Sequence, residues 1–124
     1  MSEPVFIEFA EVEILHRMSI ERFGGSHGVR DPGAALAAVD QPKNTYFYGQ
    51  GDLFDIAAAY AFHIAQAQAF LDGNKRTAMA ACLVFLERNG VIIACPWEAL
   101  YDAMIAIAER RLDKSGLAKL LRGA

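Results

Sequence analysis

The sequence predicts an all-α domain with one small β-hairpin, and three observations carry that expectation. Apolar residues recur three and four apart over most of the chain, two segments are apolar or small on nearly every face, and Asp, Pro and Gly fall where helices need caps and stops. With 124 residues, 54% hydrophobic and 22% charged, the chain is long enough to bury one core and too apolar to stay disordered. One domain spanning residues 1–124 is expected.

The first helix is read over residues 8–23. Phe9, Val12, Leu15, Met18, Ile20 and Phe23 lie at helical spacing among Glu11, Glu13, Arg17 and Glu21, and Gly24-Gly25 stops the run. After the loop GGSHGVRDPGA, Asp31 as N-cap and Pro32 at the first helical position open a short helix to about Val39, with Pro42 just past its end. NTYFYGQGD, residues 44–52, alternates β-formers and then carries Gly49 and Gly51, so it reads as an exposed hairpin or flap. Asp52 caps a helix to about Gln68 whose interior, FDIAAAYAFHIAQA, suits a helix surrounded by protein. A second buried helix runs from Asn74 to Asn89, with Gly90 at the left-handed stop position. VIIACP reads as a brief extended stretch. Pro96 then opens a helix through WEALYDAMIAIAERR, and Asp113 caps a last short one, KSGLAKLLRG.

Charge and composition exclude several classes. The net charge is −3 and the basic residues are dispersed apart from Lys75-Arg76 and Arg110-Arg111, which argues against direct nucleic-acid binding. The aromatic run Tyr46, Phe47, Tyr48 is therefore read as a hairpin with one face on the core rather than as a base-stacking platform. No stretch reaches the roughly eighteen apolar residues of a membrane span, and the opening MSEPVFIEF has no basic, apolar leader pattern. Cys82 and Cys95 lack CxxC spacing and read as small core residues in a reducing compartment, so a cytoplasmic location is expected. Trp97, Tyr101, Met104 and Ile107 sit at helical spacing and read as core, with a groove for an amphipathic peptide as the alternative. His63 is read as a hydrogen-bonded core residue, and His16 and His27 as surface residues.

The chemistry concentrates in FLDGNKRT, between the two buried helices. Gly73, Asn74, Lys75, Arg76 and Thr77 fall in the first turn of the second helix, where backbone N–H groups lack intrahelical partners and attract anions. Glycine permits a tight turn and close approach, Lys75 and Arg76 add positive charge, and Asp72 supplies a hard oxygen that suits Mg²⁺ beside a nucleotide phosphate. The competing reading makes Asp72 an N-cap and leaves the two basic residues solvated. Against it, two cations in a first turn oppose the helix dipole by up to about 1 kcal/mol, a defect that an anion would repair. There is no GxxxxGK[ST] phosphate loop and no EF-hand spacing of acids.

QAFLDGNKRTA, followed by an apolar helix ending FLERNG, resembles the signature of the Fic/Doc family in its Doc-type form, HxFx[DN]xNKR. The likeness extends upstream through IERFGGSHGVRDPGAALAAVDQP, allowing for the doubled Ala34-Ala35, and YGQGDLFDIAAAYAFHIA. It implies a compact Fic-fold helical bundle with a hairpin flap, and a death-on-curing toxin held in check by a separate, Phd-like antitoxin, since no [ST]xxxE[GN] inhibitory helix is present. It further implies a kinase that moves the γ-phosphate of ATP, with Mg²⁺, onto a hydroxyl of elongation factor Tu. Under the resemblance Phe70 anchors the loop, Asp72 holds Mg²⁺, Gly73 and Asn74 form the anion nest, and Lys75 and Arg76 hold phosphates. Tyr46, Phe47 and Tyr48 belong to the flap that aligns the target. Lys75 in place of glycine, and Met79 where a second arginine would stand, favour phosphorylation over AMP transfer.

The resemblance places Gln68 where the motif has its proton-accepting histidine, and an amide has no useful basicity near pH 7. Loss of a general base commonly lowers the rate about 10²–10⁴-fold. His63, five residues upstream, is turned about 140° away on the same helix and is no substitute. Gln68 is thus an introduced inactivating change, the mark of a natural non-catalytic binding module, or part of an enzyme whose base comes from elsewhere, such as the substrate.

Overall fold

The computed structural model describes residues 3–123, which form six helices. They are α1 (Phe9–Phe23), α2 (Pro32–Phe47), α3 (Leu53–Ala67), α4 (Asn74–Arg88), α5 (Trp97–Ala108) and α6 (Lys114–Arg122). The all-α class is as expected. The centre is α3, which packs on α2, α4, α5 and α6, while α1 lies across α4 and more lightly on α2. Ala57, Ala58, Ala59, Ala61 and Ala65 are all buried on α3, and their small side chains let neighbouring helices approach closely on several sides. Tyr60 is buried among them. Its hydroxyl donates to the Ile7 carbonyl and accepts from the Ile7 N–H, both at 3.0 Å, which ties the N-terminal segment across the core. Burial pushes the Tyr60 phenol well above its ordinary range.

The helix ends follow the local chemistry. Asp31, Asp52 and Asp113 accept from the backbone N–H three residues on, at 3.1, 2.9 and 2.8 Å. Gly90, at φ +82°, closes α4 with N–H bonds from Gly90 to Glu87 and from Val91 to Leu86, a Schellman motif. The same pattern closes α5 around Arg110, at φ +63°, so that helix stops at Ala108 rather than running through Arg111. At the far end of the chain Arg122 reaches Asp52 and Asp55, joining the end of α6 to the start of α3.

The expected β-hairpin is absent: α2 does not end near Val39 but continues through Pro42 to Phe47. Val39 and Pro42 are buried, Tyr46 packs on the core, and Phe6 meets Tyr46 and Phe47 at 6.1 and 5.9 Å between ring centroids. This tertiary burial outweighs the local helix penalty of proline. Gly49 and Gly51 then end the helix instead of turning a hairpin, with the Gly49 N–H on the Asn44 carbonyl and the Gly51 N–H on the Thr45 carbonyl. A Cβ at Gly51 would lie 2.8 Å from Thr45 Cγ2, and that close approach is what requires glycine there. VIIACP forms no strand; among the described residues the β pairing is one isolated bridge, Val29 with Phe70. The α5 stripe is also split. Met104 and Ile107 are buried and Tyr101, half-buried, packs against the core, but Trp97 is 57% exposed and stacks on the outer side of the Tyr101 ring rather than entering the core. Cys82 is buried, which pushes its thiol up to about 12, and Cys95 is half-buried; both are free.

Candidate active site

Helix α3 ends at Ala67, and Gln68 leaves it in the left-handed region at φ +47°, ψ +44°, exposed to solvent. The chain then runs beside the segment joining α1 to α2. The Arg30 and Asp31 N–H groups donate to the Ala69 carbonyl at 2.7 and 3.1 Å, and the Leu71 N–H donates to the Gly28 carbonyl at 3.1 Å. The Arg30 guanidinium donates to the Gln68 carbonyl. Phe70, 2% exposed, turns inward. Its N–H donates to Asn74 Oδ1 and its carbonyl accepts from Asn74 Nδ2, both at 3.0 Å, so one amide side chain closes the loop onto the first turn of α4.

Asp72 is exposed but held. Its Oδ2 accepts from the Ser26 N–H at 2.8 Å, and Gly25 lies so close that a Cβ there would sit 3.0 Å from Asp72 Cβ. Asp72 is therefore not the cap of α4: that position belongs to Gly73, at φ +75°, and no side chain caps this helix end. The first N–H groups of α4 stand open, the arrangement that binds anions. Lys75 is half-buried and has no carboxylate partner among the described residues. Arg76 is turned sideways, donating to the Gly24 carbonyl at 3.1 Å with its guanidinium 5.2 Å from the Phe23 ring centre. It lines an apolar groove of about 280 Å³ between α1 and α4, together with Met18, Phe23, Met79, Leu83 and Trp97.

The structure thus brings Gln68, Phe70, Asp72, Gly73, Asn74, Lys75 and Arg76 onto one loop and helix start. It does not bring Tyr46, Phe47 and Tyr48 there. They end α2, near the start of α3, whereas Gln68 follows the end of α3, about 20 Å away along a helix of this length. Tyr48 is 85% exposed. The segment that pairs with the loop is residues 28–31 instead, through the Gly28 carbonyl and the Arg30 and Asp31 N–H groups.

His16 corrects another expectation. It is not a surface residue: it is 5% exposed, its Nε2 lies 2.7 Å from the Asp72 carbonyl, and its ring stacks on Phe70 at 4.1 Å and 17°. The signal was its register, since Val12, His16, Ser19 and Ile20 share the buried face of α1. No local pattern marked Ser26 or Arg30, which reach the loop across some forty residues of chain. His63 is half-buried and accepts from Lys114 Nζ at 3.1 Å; burial, and then the Lys114 charge, bring it down to about 4.

Comparison with known proteins identifies the family. The Fic/DOC family model matches residues 6–86, which contain α1 to α3, the loop and most of α4. The chain is 37% identical over 113 residues to "Protein kinase doc" of Escherichia phage P1, covering 90% of this chain and 89% of that protein. It is 42% identical over 106 residues to "Toxin Doc" of Mycolicibacterium smegmatis, covering 82% and 81%. A match over most of the chain, site loop included, leaves one assignment: the chain belongs to the Fic/DOC family.

Proposed function

We propose that this protein is a Doc-like toxin whose loop from Gln68 to Arg76 binds Mg²⁺-ATP and directs its γ-phosphoryl group to a hydroxyl of an elongation factor Tu-like target, stopping translation in the cytoplasm. The observation that carries this reading is the uncapped N-terminus of α4, with Asp72 just before it and Lys75, without a carboxylate partner among the described residues, in its first turn. Those groups fit the nucleotide. The open N–H groups and Lys75 would hold phosphate oxygens, and Asp72, with Oδ2 fixed by Ser26, would present Oδ1 to the metal. When bound, Mg²⁺-ATP supplies the transferable phosphoryl group and neutralises part of its charge.

The protein's own residues orient rather than deprotonate. The Gln68 amide can hydrogen-bond a target hydroxyl but cannot accept its proton, so transfer by this chain is reduced or lost. The edge that would lie along the target is Gly28–Arg30, already paired with the loop. The relative named a protein kinase supports phosphorylation, and the relative named a toxin supports the biological role. A Phd-like antitoxin, supplied in trans, would lay an apolar helix face into the groove at Met18, Met79 and Trp97.

A second reading rests on Gln68 itself: a non-catalytic module that keeps the phosphate nest as a nucleotide or antitoxin site. AMP transfer is a third. All three separate in one experiment, in which γ-labelled and α-labelled ATP are offered with elongation factor Tu to this chain and to Gln68→His. Transfer of γ-label by the histidine variant, at least a hundredfold faster than by this chain, supports the kinase reading. Transfer of α-label supports AMP transfer, and ATP binding with neither label transferred supports the binding module.

A further inference from the structure

We infer that His16, on α1, is a positioning residue for this site: its imidazole fixes the Asp72–Gly73 peptide and thereby the metal-facing carboxylate and the anion nest. The inference rests on the nucleotide reading above for its purpose, but on geometry for its substance. One ring contacts two residues of the loop and lies close to a third. It stacks on Phe70 at 4.1 Å, places Nε2 2.7 Å from the Asp72 carbonyl, and has Cδ2 3.7 Å from where a Gly73 Cβ would stand.

A carbonyl oxygen only accepts, so Nε2 carries the hydrogen and donates it. Because the peptide is planar and trans, holding the Asp72 C=O toward His16 turns the Gly73 N–H the opposite way, away from α1. The same bond sets the Asp72 main chain, from which the carboxylate reaches Ser26 through Oδ2. A residue serving only to fill the core would need no polar end. Here the polar end of a buried side chain is spent on the one carbonyl between the metal-ligand candidate and the helix cap. Supporting hydrogen bonds of this kind commonly change metal affinity about 10- to 100-fold.

The discriminating variant is His16→Phe, which keeps a ring on Phe70 and removes the donor. Calorimetric titrations with ATP, with and without Mg²⁺, are run beside backbone amide exchange on the ligand-free proteins. The expected result is faster exchange at Ser26, whose N–H bonds to Asp72 Oδ2, and at Thr77, whose N–H bonds to the Gly73 carbonyl, with a Mg²⁺-dependent ATP affinity weakened about tenfold and a smaller loss, about threefold, for ATP without Mg²⁺, which the nest alone would hold. Unchanged exchange together with unchanged affinity overturns the inference and leaves His16 as packing. If the unaltered chain binds no Mg²⁺-ATP, the nucleotide reading fails separately, and the exchange measurement alone decides for or against His16. If His16→Phe does not fold, His16→Gln replaces it. Its amide retains a donor, so site-amide protection better than that of His16→Ala supports the inference, and protection no better overturns it.

Discussion

Replacing Asn74 with alanine tests the construction of the loop. Asn74 makes two 3.0 Å hydrogen bonds to the Phe70 backbone, one accepted and one donated, in a part-buried position. Each contributes about 1 kcal/mol net, and the Phe70 N–H and C=O would be left without partners where water reaches them poorly, so the expected loss is about 2–3 kcal/mol. For a chain of this size that lowers the thermal midpoint by about 10 °C. The assay is urea and thermal unfolding followed by circular dichroism, with Lys75→Ala as the control. Lys75 lies in the same helical turn and makes no side-chain hydrogen bond or ion pair among the described residues, so its removal should change stability by less than about 0.5 kcal/mol. If Asn74→Ala were as stable as Lys75→Ala, the amide would not be closing the loop, and the geometry assigned to the site would be wrong.

Two further outcomes follow from the core. Tyr60→Phe removes a buried hydroxyl that both donates to and accepts from Ile7, and should destabilise by about 2–3 kcal/mol in urea unfolding while sparing the helical content. His63 stays neutral in the folded chain down to about 4, whereas in the unfolded chain it takes up a proton near its ordinary 6.5. Stability should therefore fall as pH drops from 6.5 toward 4 and level off below, by about 1–2 kcal/mol after allowance for solvent screening at a half-buried site. His63→Leu should flatten this part of the profile relative to the unaltered chain, and an identical pH dependence in the two proteins would refute the assignment.

What the sequence disclosed was mainly local. Asp31, Asp52 and Asp113 announce helix starts because a cap acts within three residues, and Gly24 and Gly90 announce ends for the same reason. The loop from Gln68 to Arg76 was legible because its chemistry is contiguous. The course of α2 was not. Pro42 and the glycines after it argue locally for a break, and only the packing of Val39, Pro42 and Tyr46 against the core carries the helix onward. Nor were the contacts that hold the loop legible, since His16, Ser26 and Arg30 act across chain separations of 56, 46 and 38 residues. For His16 the helical register did carry a signal, but a lone polar residue on an amphipathic helix reads equally well as solvent-facing until its partner is seen.

The claim on which the rest depends is that the start of α4, with Asp72, forms a Mg²⁺-nucleotide site. Isothermal titration of ATP into this chain and into Asp72→Ala, each with and without Mg²⁺, addresses it without requiring turnover, and so is unaffected by Gln68. The expected result is binding strengthened by Mg²⁺ in the unaltered chain, with that enhancement lost in Asp72→Ala and binding without Mg²⁺ retained. Binding that Mg²⁺ enhances equally in both proteins would contradict the role given to Asp72, and no binding to the unaltered chain under either condition would contradict the site.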